Sequence, residues 1–311
     1  MGMDNQTKTA ILAITIIIPI SSFYVWNSDQ SFISALSDST EISVIASFYP
    51  LYDFTKEIGQ DKVSVSLLVP PGIEPHDWEP TVNDLQKIHQ SDLIIINGIG
   101  FENWVDNIDT VNSNVMIVDT SKGIAIMDSD LLEENSGHDD HLKGDPHIWL
   151  NPLMAKTQIS NIADALVSID PVNEKFYRQN AKSYQEKLDA LDKKIKNELS
   201  SCKKDFIAFH GAFSYFAIEY GLNQHTITAS NEPQAEPTSK TLENIINLAQ
   251  KYGINIIFTE EAVYIRTSQV IANEIGGKVL VLSPIEIMEK NSNYLMKMEN
   301  NLSNLKEALC K

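Results

Sequence analysis

The sequence predicts an α/β protein with two lobes, each a parallel four-stranded sheet with flanking helices, joined by one long rigid helix. Short apolar strands alternate with helices in the first part of the chain, a charged stretch without strands follows, and the alternation then repeats. Strands that are apolar on both faces indicate parallel sheets covered by helices. The length of 311 residues also favours two domains over one core.

The N-terminal segment precedes this pattern. Residues 10–26 contain no charged residue, and a helix of that length would span roughly 26 Å, the lower limit for crossing a bilayer. We expect an exported protein that contacts the membrane through this segment, with an uncleaved anchor favoured over a cleaved signal peptide. No cysteine stands directly after the run, which disfavours a lipidated form. Residues 1–41 therefore form a signal or anchor followed by a polar spacer.

The first predicted lobe comprises residues 42–151. Its strands are rich in β-branched and other apolar residues and lie at residues 42–47, 63–69, 93–97 and 115–119. Helical spacing of apolar residues between them predicts helices at residues 50–59, 81–91 and 101–108. An acidic, histidine-containing loop, residues 128–146, ends this lobe.

The predicted linker, residues 152–203, contains no strand pattern. Residues 170–200 are highly charged, have Pro171 in the first turn and place apolar residues in a partial stripe. We predict one long helix that acts as a rigid strut between the lobes.

The second predicted lobe comprises residues 204–311. Its strands are predicted at residues 205–210, 225–229, 256–260 and 278–283. Helices are predicted at residues 212–221, 238–253, 267–275 and 292–309, and Gly253 is a typical residue for ending a helix. Cys202 and Cys310 stand near the two ends of this lobe, and in an exported protein such a pair suggests a disulfide. Two free thiols are the alternative.

The net charge of −18 argues against nucleic acid as a partner, because phosphates would repel the protein. The same charge is compatible with collecting cations, although acidity alone usually reflects solubility.

Three histidines fall at or beyond the carboxyl ends of predicted strands. His76 follows the second strand, His147 follows the fourth, and His210 ends the first strand of the second lobe. Open parallel sheets bind ligands at this edge, and two-lobed proteins bind them in the cleft. We therefore predict that the three histidines share one site, although a structural role is the better reading for any one of them alone.

Three neutral imidazoles suit Zn²⁺, which takes about four ligands. The histidines are far apart in the sequence, unlike the ligands of zinc fingers and metalloproteases, and this suits reversible capture by a preformed fold. Glu260, at the end of a strand in the second lobe, is the predicted fourth ligand. Glu74 and water are the alternatives.

Other polar residues near these histidines have candidate roles. Asp77 and Asp145 are candidates to accept the second ring N–H of a ligand and so fix its orientation, with ordinary loop hydrogen bonds as the alternative. His138 and His141 in the acidic loop suit weak collection of metal ions or a plain solvated linker.

The chain resembles the zinc/manganese solute-binding proteins of ABC importers, cluster A-I, over nearly all residues from 42 onward. The resemblance is carried by "FYPLYDFTKEIG", "VPPGIEPHDWEPTVNDLQKIHQSDLIIINGIGFENWVD", "GDPHIWLNPLMA", "FIAFHGAFSYFAIEYGL" and "IIFTEEAV…VLVLSPIE". It implies that His76, His147 and His210 are the first three ligands of a metal held between the lobes. Histidine at the third position and an acidic histidine loop are similar to the zinc-favouring members. The family's fourth ligand is frequently an aspartate where this chain has Ser283, a poor zinc ligand.

The predicted function is therefore delivery of Zn²⁺ to an ABC permease by an extracytoplasmic, monomeric protein that is membrane-anchored or secreted and is not an enzyme. Delivery of Mn²⁺ is the main alternative. A zinc hydrolase, with Glu260 as its general base, and a surface adhesin are the other two.

Overall fold

The computed structural model describes residues 41–108, 114–127, 144–228, 237–261 and 265–310. Residues Ile42–Lys311 form one compact unit. The predicted anchor, residues 10–26, and most of the acidic loop, including His138 and His141, lie outside the described residues. In the part of the chain that is described, no helix has the length and apolar character needed to span a membrane.

The first sheet is parallel and has the strand order β2-β1-β3-β4. Its strands are β1 (Ile42–Ala46), β2 (Val63–Leu67), β3 (Leu93–Ile96) and β4 (Met116–Asp119). Helix α1 (Tyr49–Gly59) connects β1 to β2, and α2 (Val82–Gln90) connects β2 to β3. Helix α2 begins at Thr81, whose hydroxyl accepts from the backbone N–H of Asp84.

The predicted helix at residues 101–108 is wrong, since only the short 3₁₀ turn Val105–Asn107 forms there. Gly98, Ile99 and Gly100 all have positive φ angles, of 88°, 62° and 84°. The chain enters residue 101 from three consecutive residues in the left-handed region, and residues 101–104 form only bends and turns. The buried Glu102 carboxylate stabilises the left-handed segment before it, because it accepts from the Ser47 hydroxyl and from the backbone N–H groups of residues 97 and 98.

The linking segment contains two helices, α3 (Pro152–Ile169) and α4 (Glu174–Leu199), where the sequence predicted one. Helix α3 begins at Asn151, whose side chain accepts from the backbone N–H of Leu153. It ends at Asp170, because Pro171 cannot continue it. Helix α4 is the predicted long charged helix, and it packs against α3 and also against α1 of the first sheet.

The second sheet is also parallel and repeats the order of the first, β6-β5-β7-β8. Its strands are β5 (Asp205–Ala208), β6 (Asn223–Thr226), β7 (Ile256–Thr259) and β8 (Lys278–Val281). Its helices are α5 (Ser214–Tyr220), α6 (Ser239–Tyr252), α7 (Ile265–Glu274) and α8 (Tyr294–Leu309). The predicted fold class, two parallel four-stranded sheets with flanking helices, is confirmed. The boundary residues of the predicted lobes and linker stay predictions.

One hydrophobic cluster extends through both sheets and the helices between them. Within it, Phe48 lies 4.7 Å from Trp149 and Phe54 lies 4.8 Å from Tyr294, measured between ring centroids. Burial of such aromatic rings contributes strongly to stability. The predicted disulfide between Cys202 and Cys310 is also confirmed, and it joins the ends of α4 and α8.

Candidate metal centre

The three predicted histidines lie together beyond the carboxyl ends of the strands. His76 is in the loop after β2, His147 precedes the 3₁₀ turn Ile148–Leu150 after β4, and His210 follows β5. The Nε2 atom of His147 lies 3.2 Å from Nε2 of His76 and 3.3 Å from Nε2 of His210. The structure therefore brings side chains from both sheets to one point.

Glu286, in the loop after β8, is the fourth member of this cluster. Its Oε1 atom lies 3.4 Å from Nε2 of His76 and 3.7 Å from Nε2 of His147, and the four ligand atoms lie within 4.8 Å of one another. Oε1 is buried and has no hydrogen-bond partner among the described residues. A buried carboxylate oxygen without a partner is costly, and a bound cation would remove that cost.

The geometry of the cluster fits a small tetrahedral cation. Two ligand atoms that each lie about 2.0–2.1 Å from zinc at the tetrahedral angle are about 3.3 Å apart. The separations of His147 Nε2 from His76 Nε2 and from His210 Nε2 match that value, and Glu286 lies slightly farther from His147. Three imidazole nitrogens and one carboxylate oxygen are ligands that Zn²⁺ accepts.

Glu286 was not among the ligands predicted from the sequence. The resemblance drew attention to Ser283, but that residue is structural, because its backbone N–H and C=O both bond to the Asn301 side chain, at 2.8 and 2.7 Å. Its hydroxyl accepts from the backbone N–H of Ile285, which has a φ of 64° and bends the chain just before Glu286. Glu286 follows a strand end, as the histidines do, and this was the available signal. The position of Glu286 in the sequence did not distinguish it from Glu260 as a fourth ligand.

Glu260 is not a member of the cluster. It directly follows β7, the neighbour of β5, and its carboxylate contacts Nδ1 of His210. That nitrogen is on the side of the ring away from the cluster. The alternative residue Glu74 is also outside the cluster, and its Oε1 atom accepts from the backbone N–H of His76 at 3.4 Å.

Asp145 orients His147. Its Oδ1 atom lies 2.7 Å from Nδ1 of His147 and accepts from the backbone N–H of the same residue at 3.0 Å. Both side chains are fully buried. With Nδ1 bonded to a carboxylate, the ring presents the lone pair of Nε2 to the cluster, which is the arrangement of a metal-ligating histidine.

The charges around the histidines differ. Burial lowers the pKa of His76 to about 4 and also lowers the pKa of His147, so both are neutral near pH 7. Burial lowers the pKa of His210 as well, but nearby carboxylates, Glu260 first among them, outweigh it and raise that pKa to about 9. Burial raises the pKa of Glu286 to about 7. A cation that binds here at neutral pH must displace a proton.

Aromatic rings cover the cluster on the side of the first sheet. Phe101 packs edge-on against His76 with ring centroids 4.9 Å apart, and Trp149 lies 5.2 Å from His147. The indole N–H of Trp149 donates to the carbonyl of Pro284 at 2.7 Å. This bond connects the segment that carries His147 to the loop that carries Glu286.

Comparisons with known proteins identify relatives that are named for zinc uptake. A family model described as "ZnuA: Zinc-uptake complex component A periplasmic" matches residues 44–308. The high-affinity zinc uptake system protein ZnuA of Bacillus subtilis is 37% identical over 288 residues, which cover 89% of this chain and 90% of that protein.

Solved structures with the same fold include two streptococcal proteins. The Zn(II)-bound ZnuA-like domain of Streptococcus pneumoniae AdcA superposes with a TM-score of 0.75 and 30% identity, covering 86% of this chain and 98% of that one. The laminin-binding protein Lmb of Streptococcus agalactiae, described as bifunctional with adhesin and metal transporting activity, has a TM-score of 0.78 and 31% identity, covering 86% of this chain and 99% of the other. The residues matched by the family model include all four members of the cluster.

Proposed function

This chain belongs to the family of periplasmic zinc-uptake components, and we propose from this membership that it is an extracytoplasmic solute-binding protein that captures Zn²⁺ with high affinity and delivers it to an ABC-type importer. The observation that carries the proposal is the buried Oε1 atom of Glu286, which has no hydrogen-bond partner among the described residues and lies beside the Nε2 atoms of three histidines. A bound cation would satisfy this oxygen, and a buried site suits tight, reversible capture.

The proposed ligands are His76, His147, His210 and Glu286. This set keeps the three histidines predicted from the sequence and replaces Glu260 by Glu286. Glu260 and Asp145 take the positioning role, because each contacts the Nδ1 atom of a proposed ligand.

Zinc fits this set better than manganese. Imidazole ligands suit zinc, whereas Mn²⁺ favours carboxylate, carbonyl and water oxygens in six-coordinate sites. The relative from Bacillus subtilis is named for zinc uptake, and one solved structure of similar fold is described as Zn(II)-bound.

Transport without catalysis is the proposed activity. A zinc hydrolase needs an open coordination position and a free general base beside it. Glu260, the candidate base, contacts His210, and Glu286 occupies the fourth position of the cluster. Incubation of the zinc-loaded protein with panels of esters and phosphates should therefore release no product.

Surface adhesion is a second candidate, because a structure of the same fold is described as a bifunctional adhesin and metal transporter. Binding of zinc-loaded and metal-free protein to immobilised laminin tests it. Partnership with a permease and the monomeric state stay proposals. Pull-down of the importer by the zinc-loaded protein tests the first, and light scattering tests the second.

Chelator competition with the purified full-length protein tests zinc capture. We expect one tightly bound Zn²⁺ per chain at pH 7.5 and a loss of affinity of more than about 100-fold in His147→Ala, because removal of a ligand costs more than removal of its supporting partner. His225→Ala is the matched control, since His225 pairs with Asp205 and stacks on Tyr252 away from the cluster. Absence of a tight site in the unaltered protein would overturn the proposal.

A further inference from the structure

Tyr215, on helix α5 beside the second sheet, contacts the segment that carries His147. Its hydroxyl donates to the backbone carbonyl of Asp145 at 2.8 Å and accepts from the backbone N–H of Met127 at 3.0 Å. Its own backbone carbonyl accepts from the side chain of Asn151 at 3.5 Å. One residue from the second sheet's helices therefore contacts the His147 segment on both sides of the histidine.

The backbone next to Tyr215 is closely packed. The N–H of Asp145 donates to the carbonyl of Met127 at 3.1 Å, so the two residues whose backbones contact the Tyr215 hydroxyl are also hydrogen-bonded to each other. Gly144 has a φ of 150°, and a Cβ atom there would lie 2.6 Å from the carbonyl oxygen of Met127. Only glycine allows this close approach.

The contacts lead directly to a proposed zinc ligand. Tyr215 bonds the backbone of Asp145, and the carboxylate of Asp145 lies 2.7 Å from Nδ1 of His147. All three side chains are almost completely buried, so no water competes for these bonds. The ring of Tyr215 also packs with Ile99 and Ile148, which supplies an ordinary structural reason for its presence.

We propose that Tyr215 is a positioning residue for the metal centre, whose hydroxyl holds Asp145 where its carboxylate orients His147. The orientation of a ligand supplied by the first sheet then depends on a bond from the second sheet's helices. Movement of α5 away from Asp145 would break that bond and weaken His147 as a ligand. The inference rests on the proposed function, in that zinc is taken as the bound ion.

The substitution Tyr215→Phe tests this, because it removes the hydroxyl and keeps the ring in its apolar contacts. We expect zinc affinity to fall about tenfold, within the range for loss of a ligand's supporting partner, with faster zinc release to a chelator in stopped-flow measurements. The control is Tyr220→Phe on the same helix, whose buried ring carries a hydroxyl that donates to Asp192 at 3.0 Å. It should lose stability on thermal unfolding and keep its zinc affinity.

A double-mutant cycle separates positioning from packing. If Tyr215 acts through Asp145, then Tyr215→Phe should cost less than twofold in zinc affinity when it is added to Asp145→Ala. Full additivity of the two losses, or equal affinities for Tyr215→Phe and the unaltered chain, would overturn the inference. If the unaltered chain itself binds no zinc tightly, the proposed function fails instead, so the two failures are distinguishable.

Discussion

Two of the proposed zinc ligands have the same kind of contact at Nδ1 but differ in their charge at neutral pH. His147 and His210 each present Nε2 to the cluster and have Nδ1 against a carboxylate. Burial dominates at His147 and lowers its pKa. The negative charges of Glu260, Glu286 and Glu74 raise the pKa of His210 to about 9. The site therefore pairs one ligand that is ready to bind with one that must first lose a proton.

The two glutamates near the cluster should respond differently to neutralisation. Glu286→Gln removes the proposed fourth ligand and should weaken zinc binding by more than about 100-fold, whereas Glu260→Gln removes only the support of His210 and should cost about tenfold. Both changes preserve side-chain shape, so each variant is the control for the other. Chelator competition measures both affinities. A larger loss in Glu260→Gln would restore Glu260 as the ligand.

Zinc affinity should fall as the pH falls. Below about pH 9 His210 is protonated without the metal, so each zinc ion displaces one proton and affinity should drop about tenfold per pH unit between pH 9 and 7. Below about pH 7 Glu286 also takes up a proton, and the slope should approach two protons per zinc. Calorimetry in buffers of different ionisation enthalpy counts these protons. A constant affinity from pH 9 to 7 would contradict the raised pKa of His210.

At the scale of elements, strand positions were predictable because each strand is a short apolar run. The predicted strands at residues 93–97 and 256–260 are β3 and β7 to within one residue. Strand β6 begins two residues before its predicted start. The prediction missed its first residues, Asn223 and Gln224, because they are polar and partly exposed. Strand β6 lies at the edge of the second sheet, where polar residues are tolerated. A pattern of apolar residues does not reveal that such residues belong to a strand.

The candidate site was predictable in part for the same reason. The rule that ligands gather at the carboxyl edge of parallel strands selected three histidines that lie together in the structure. It could not choose between Glu260 and Glu286, because both follow strands of the second sheet. Ile285, directly before Glu286, has a positive φ, and residue spacing does not encode such a local backbone angle.

The disulfide should affect stability and leave zinc binding unchanged. It joins Cys202 at the end of α4 to Cys310 at the end of α8, across a sequence separation of 108 residues. Closing a loop of that size should stabilise the fold by about 4 kcal/mol. Urea unfolding of the variant with both cysteines changed to serine should show this loss. An equally large change in zinc affinity would contradict a purely structural role.

At the scale of the whole molecule, Asp53 on α1 connects three helices. Its carboxylate accepts from the hydroxyl of Tyr184 on α4 and from the backbone N–H of Tyr294 at the start of α8, both at 3.2 Å. The hydroxyl of Tyr294 donates to the carbonyl of Trp149 at 2.6 Å. Burial raises the pKa of Asp53 to about 6. A titratable group thus lies where helices of both sheets meet the linking segment.

Asp53 should make stability depend on pH. Because its folded pKa is raised, it contributes stability that is fully present below its unfolded pKa near 4 and is lost as the pH rises through about 6. The difference in unfolding free energy between Asp53→Asn and the unaltered protein should therefore shift in favour of the variant by about 2 kcal/mol from pH 4 to pH 7. Denaturant unfolding at both pH values measures it.

Asp164→Asn is the control for this experiment. Asp164 is an exposed residue of α3 that pairs with Arg178, and exposed pairs contribute little. Its unfolding free energy should follow that of the unaltered protein at both pH values. The same shift in both variants would mean that the effect comes from the removal of any negative charge and not from Asp53 in particular.

The division of the four proposed ligands between the sheets has a mechanical consequence. Loops of the first sheet supply His76 and His147, and loops of the second supply His210 and Glu286. Each side alone would be a bidentate chelator, and the proposed high affinity would arise only when the two are held together at high effective concentration. An importer that pulled the sheets apart by a few ångströms would therefore release the ion without offering any competing ligand. The movement of the sheets, and not competition from another ligand, would then release the ion.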